Sequence, residues 1–176
     1  MRKFIIAIDP GTKASGVVVV RSEDLKPFMA AKIENEKVTE RVFEVLKSLY
    51  ILPESVDVVI EMIQGRFNQG FGSELLETAV WIGRFMEQLN LDGRIPDRVL
   101  RMDEYKALCA NVYTRNDKGV RDALVDRFAY GVQNYGKGTK KDPGWFYGFS
   151  ADVWQAYAVA VTWSDLHMES GESANA

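Results

Sequence analysis

Lys3-Phe4-Ile5-Ile6-Ala7-Ile8-Asp9-Pro10-Gly11-Thr12-Lys13-Ala14-Ser15-Gly16-Val17-Val18-Val19-Val20-Arg21 is the stretch that decides the fold. Lys3 to Ile8 is an apolar run bounded by a charged residue on each side, which reads as a buried strand. Gly16 to Arg21 is a second valine-rich run, and the turn Pro10–Ser15 between them predicts a hairpin. Asp9 therefore stands at the mouth of a hairpin, at the end of a strand that has no exposed face.

Working outward, Phe28 to Ile33 reads as a third strand. Val38, Val42, Val45, Leu46 and Leu49 recur at helical spacing, so residues 36–50 form an amphipathic helix that Pro53 stops. Val56 to Glu61 is another buried strand, ending in a carboxylate. Gly65 to Gly72 is a glycine-punctuated loop. Ser73 reads as the N-cap of a helix to Asn90, with Leu76, Ala79, Val80, Gly83 and Leu89 along it. Arg98 to Met102 reads as a fifth strand, followed by helices over 103–112 and 117–130. A glycine-rich loop covers 131–148. Ser150 then caps a last helix to His167. Strand, strand, strand, helix, strand, helix, strand, helices is the order of an α/β domain with a mixed five-stranded sheet flanked by helices. One domain over 1–168 is expected, with a disordered polar tail over 169–176.

Composition narrows the class. The 176 residues are 47% hydrophobic and 27% charged, enough to bury a core without cross-links. The single cysteine, Cys109, excludes an internal disulfide and points to a reducing, cytoplasmic compartment. Neither a signal peptide nor a membrane-length apolar run is evident. The net charge is −3, yet Arg94 to Lys141 holds 11 Lys or Arg against 6 Asp or Glu, a local balance of +5 suited to phosphate.

Three carboxylates stand where a site would form. Asp9 ends the first strand, Glu61 ends the strand after the first helix, and Asp152 lies in the first turn of the last helix. In open α/β sheets, sites gather beyond strand ends. Acids forced together beside a core repel one another and raise their own pKa values, and a hard divalent cation such as Mg²⁺ or Mn²⁺ resolves the conflict. The plain structural alternative is that each is a strand or helix cap.

The neighbours of these acids carry a resemblance. Asp9-Pro10-Gly11-Thr12-Lys13-Ala14-Ser15-Gly16, Val58-Val59-Ile60-Glu61 and Asp152-Val153-Trp154-Gln155-Ala156-Tyr157-Ala158-Val159-Ala160 resemble, in that order, three motifs of RuvC-type Holliday junction resolvases. Gly138-Thr139-Lys140-Lys141-Asp142-Pro143-Gly144, followed by Tyr147-Gly148, is similar to the RuvC-like proteins of bacteriophages. The likeness spans nearly the whole chain. It implies an RNase H-like fold and a homodimer acting in DNA recombination and repair in bacterial or phage-infected cytoplasm. It further implies an endonuclease that nicks four-way junctions with two Mg²⁺ or Mn²⁺ ions, leaving 5′-phosphate and 3′-hydroxyl ends. Asp9, Glu61 and Asp152 become catalytic metal ligands. The sequence departs from the pattern at Gln155, where such enzymes carry a second acid three residues after the helix aspartate. Gln155 shares a helix face with Asp152 and offers an uncharged oxygen ligand. Asp122, Asp126 and Asp165 are candidates for the compensating acid.

Several residues are candidates for DNA contact. Lys13 lies in the first turn, Lys118 and Arg121 near the C-terminal motif, and Lys137, Lys140 and Lys141 in the glycine-rich loop. The loop holding Arg66, Phe67 and Phe71 corresponds to the region that enters the junction in resolvases, where an aromatic ring stacks on a base. Trp81 and Phe85 supply a candidate dimer face. Trp154, Tyr157 and Cys109 read as core, and His167 as surface. Other readings are an RNA-processing YqgF-type nuclease, an actin-like ATP-binding module, and a branched-DNA-binding protein with weak or no catalysis.

Overall fold

The computed structural model describes residues 3–64, 72–110 and 112–173. Strand β1 (Phe4–Asp9) turns back through Pro10–Lys13 into β2 (Ala14–Arg21), and β3 (Pro27–Glu34) follows antiparallel to β2. Helix α1 (Asn35–Ser48) crosses over to β4 (Val56–Met62), which pairs parallel with β1. Helix α2 (Ser73–Gln88) leads to β5 (Asp97–Leu100), parallel to β4. The sheet order is β3-β2-β1-β4-β5, the mixed five-stranded sheet that the element order predicts.

The alternation of side chains along each strand divides the core in two. Ile6, Ile8, Val17, Val19, Val58 and Ile60 face α1 and α2. Ile5, Ala7, Val18, Val20, Val59 and Val99 face the last helix, α5 (Ala151–Ser173). Every residue of α5 from Val153 to Ser164 is buried. A helix buried all round has no amphipathic stripe, and alanines at 156, 158 and 160 keep its bulk low beside β1 and β2. Its backbone continues past the expected end at His167 to Ser173.

Four local expectations are corrected. Strand β5 stops at Leu100, so Arg101 and Met102 belong to a short helix, α3 (Arg101–Glu104), which runs into a π-turn over Tyr105–Cys109. Helix α4 (Asp117–Ala129) begins as expected, with the Asn116 side chain accepting from Gly119 N at 2.9 Å. On α2 the buried side is Thr78, Ile82 and Phe85, with buried Leu89 just past its end, while Leu76 and Val80 are exposed. The large Ile82 and Phe85 side chains set the inward face, and Phe85 is wholly buried against the α1 side of the sheet with Trp81 at its edge. Phe85 is therefore core, not a docking face. Gly72, not Ser73, is the N-cap of α2. Among the described residues no helix is long and apolar enough to cross a membrane.

Candidate active site

Parity along the strands positions the site. Asp9 lies two residues past Ala7 on β1, Glu61 two past Val59 on β4, and Arg101 two past Val99 on β5. Each continues the face that packs on α5, at the same C-terminal end of three parallel strands. The register places Asp9 beside Gly16 and Ile8 beside Ile60. Gly16 is required there: a Cβ on it would stand 2.1 Å from the carbonyl oxygen of Asp152. That close approach lets the first turn of α5 lie directly over the strand ends.

The turn itself is pinned from α1. Buried Asn35 receives the Ser15 hydroxyl hydrogen on Oδ1 at 2.7 Å and donates Nδ2 to Gly11 O at 2.9 Å. Asp9, Gly11, Thr12, Lys13, Ala14, Lys32 and Asp152 then line a cleft of about 310 Å³.

Asp9 links the sequence-predicted acids. Asp9 and Glu61 lie within hydrogen-bonding reach of each other, and Asp152 is close enough for its charge to act on Asp9. Burial raises the Asp9 carboxyl, against the lowering effect of Glu61 as hydrogen-bond partner and of Arg101. Burial raises Glu61 far more, and the charges of Glu104 and Asp9 add to it.

Arg101 holds this group together, and sequence reasoning missed it. Its Nε donates to Glu61 Oε1 at 2.8 Å and its Nη2 to Glu61 Oε2 at 3.2 Å, a two-pronged contact. Its Nη1 donates to Gln155 Oε1 and, at 3.3 Å, to Glu104 Oε2, with Asp117 Oδ1 at 3.8 Å. Burial works against the guanidinium charge, but Glu61 and Glu104 more than restore it, and its pKa is raised. Glu104, also missed, has no exposed surface, and burial drives its pKa up against the pull of Arg101. Lys32 Nζ pairs with Asp152 Oδ2 at 2.5 Å. The three proposed compensating acids are engaged elsewhere: Asp122 with Lys118 and Arg121, Asp126 with the Tyr113 hydroxyl, and Asp165 with Arg127.

Among the described residues, no three His, Cys, Asp or Glu side chains are already disposed around one ion. The reason lies in the contacts above: Arg101 faces Glu61, and Lys32 faces Asp152. The donor chemistry nevertheless fits a divalent cation. All donors are hard oxygens, and two carboxyls in mutual hydrogen-bonding reach require a proton or a cation. Among the described residues, Glu104 Oε1 is buried without a hydrogen-bond partner.

The basic candidates fall in two groups. Lys13 lines the cleft, and Lys118 follows Asp117 at the start of α4, beside Arg101. Arg121 lies over the Tyr135 ring, its guanidinium carbon 4.7 Å from the centroid. Lys137 is half-buried at the base of a tight turn closed by Gly144 N on Lys137 O at 3.0 Å, and Lys140 and Lys141 are exposed at its tip. Arg66, Phe67 and Phe71 lie outside the described residues. Trp154 and Tyr157 are core as expected, and His167 stacks on Trp163 with its Nδ1 2.8 Å from Trp163 O.

Two solved structures superpose on this architecture nearly end to end. The RuvC of T. thermophilus in complex with a Holliday junction substrate matches with a TM-score of 0.62 and 17% identity, covering 95% of this chain and 96% of that one. The T. thermophilus RuvC structure matches with a TM-score of 0.62 and 16% identity, covering 94% and 96%. The fold is RuvC-like. No family model and no curated protein matches the sequence. At this identity the RuvC-like match concerns the course of the backbone.

Proposed function

We propose that this chain is a divalent-metal-dependent, structure-selective DNA endonuclease that nicks four-way or branched junctions, breaking the P–O3′ bond to leave 5′-phosphate and 3′-hydroxyl ends. What supports this reading is that Asp9 lies within hydrogen-bonding reach of Glu61 and lines one cleft with Asp152, three acids from distant segments toward one end of a RuvC-like sheet. Asp9 and Glu61 would hold Mg²⁺ or Mn²⁺, joined by Asp152 once Lys32 turns to the substrate. A bound divalent cation supplies Lewis-acid activation of water and neutralises charge at the phosphate.

The chain's own residues do the rest. Lys13 and Lys32, on the walls of the cleft, bind the scissile phosphate as point charges. Lys118, Arg121, Lys137, Lys140 and Lys141 bind flanking phosphates and set the register of the duplex arms. Arg66, Phe67 and Phe71 enter the junction, where a ring stacks on an unpaired base. A homodimer presents two such sites to the two strands of a four-way junction, and the exposed Leu76 and Val80 on α2 are candidates for its contact.

One observation favours a second reading. The acids are already partly neutralised by Arg101 and Lys32, as suits a branched-DNA-binding protein without cleavage. Incubating a synthetic four-way junction, a plain duplex and a structured RNA with the protein across a Mg²⁺, Mn²⁺ and Ca²⁺ series separates these. Selective nicking of the junction is expected. Binding without nicking in every metal would establish the second reading, and preferential RNA cleavage would move the chain to the YqgF-type nucleases.

A further inference from the structure

We propose that the Arg101 guanidinium is a built-in cation that takes the place of a second metal ion, so that each chain binds one divalent cation and not a pair. This rests on the nuclease reading above and concerns how the same site is charged.

The placement is specific. Arg101 stands at the end of β5 as Asp9 and Glu61 stand at the ends of β1 and β4, and it faces α5 as they do. One edge of the guanidinium, Nε and Nη2, spans both oxygens of Glu61. The remaining nitrogen, Nη1, reaches Gln155 and Glu104. A guanidinium presents five N–H donors in a rigid plane and stays charged at any pH the protein meets, so it answers the same ligands that a metal ion would.

The contacts give the count. Both oxygens of Glu61, Oε2 of Glu104 and the Gln155 amide oxygen already answer to the guanidinium, so the ligands that a second ion would draw on there are taken. An acid at position 155 would add a further negative charge and call for another cation. The amide there adds none, and its oxygen accepts from Arg101 instead. Glu104 completes the arrangement: it is wholly buried, and Arg101 donates to its Oε2. Its role is to hold the guanidinium in place. Arg101 is thus a positioning residue, acting on the ion's ligands from behind.

Titration of the full chain with Mn²⁺, followed by electron paramagnetic resonance, counts the ions directly. Two Mn²⁺ ions at the roughly 3.5–4 Å spacing of a two-metal site give a spin-coupled signal. Expected are one Mn²⁺ per wild-type chain without that signal, no tight binding in Asp9→Asn, and two ions with the coupled signal in Arg101→Met combined with Gln155→Glu. Two coupled ions in the wild type would overturn the inference and leave the nuclease reading standing. No bound Mn²⁺ in the wild type would remove both. A folded double variant that still binds one ion would show that Arg101 does not occupy the second place. Should the double variant not fold, the wild-type count decides alone.

Discussion

On the side of the sheet that faces α5, the middle and the end of the same strands carry opposite chemistry. Ile5, Ala7, Val59 and Val99 meet Ala156, Val159 and Ala160 in a dry, close-packed layer. Two residues further along, Asp9, Glu61 and Arg101 meet Asp152 and Gln155. Backbone, face and covering helix are shared; only the side chains differ. The core half fixes the geometry of the charged half, because strands and helix cannot shift relative to one another without opening the apolar layer. A cluster of buried acids is tolerated where the scaffold beneath it is stiff and a counter-cation is built in.

The comparison can be broken at several points. Asp9→Asn removes a proposed ligand while leaving the core half untouched; junction nicking is expected to fall at least about 10³-fold, roughly 4 kcal/mol of transition-state stabilisation, with junction binding retained in gel-shift assays. Arg101→Ala leaves Glu61 and Glu104 buried without their counter-ion; urea unfolding of the metal-free protein is expected to show a loss of about 3 kcal/mol, part of it recovered by Mn²⁺. Gly16→Ala drives a methyl into the Asp152 carbonyl and separates the two halves; a loss of about 2 kcal/mol is expected, with weaker metal binding as the more telling readout.

A pH series sharpens the same contrast. Burial pushes Glu104 up to about 8 and Glu61 up to about 10, from an ordinary 4.5. Between the ordinary value and the raised one, the folded protein keeps protons that the unfolded chain releases. Stability of the metal-free protein therefore falls as pH rises from about 4.5 through 8, and the penalty is absent below that window. The expected result is a lower Tm at pH 8 than at pH 5 without metal, a slope that flattens in Glu61→Gln, and a larger Tm gain from Mn²⁺ at the higher pH. The smallest effect belongs to Lys32→Ala. Its pair with Asp152 is half exposed, so stability should change by under about 1 kcal/mol, while junction affinity drops measurably at low salt.

Much of the site's framework could be read from the sequence, since an apolar run that ends in an acid names both the strand and its exit. Asp9 and Glu61 were legible for that reason. Arg101 was not. Val99-Leu100-Arg101-Met102 looks like the continuation of a strand, and nothing local says that β5 stops at Leu100, two residues before Met102. Strand parity held the missed signal: Arg101 is two residues past a buried valine at the end of a strand, as Asp9 and Glu61 are past theirs. Glu104 was hidden by the π-turn that follows it, whose backbone is set by tertiary packing. On α2 the helical period was read correctly but its phase was not, because Leu76 and Val80 mimic a core stripe that Ile82 and Phe85 supply.

The Tyr157 hydroxyl accepts from Trp145 Nε1 at 2.9 Å and donates to Leu25 O at 2.9 Å. It thus rivets the root of the lysine-tipped arm and the bend before β3 to the helix that bears Asp152. Were a duplex bound there as proposed, a pull on the arm would reach α5 through this rivet. Tyr157→Phe would remove both hydrogen bonds of this rivet, and grip on a substrate would then be felt less at the strand ends.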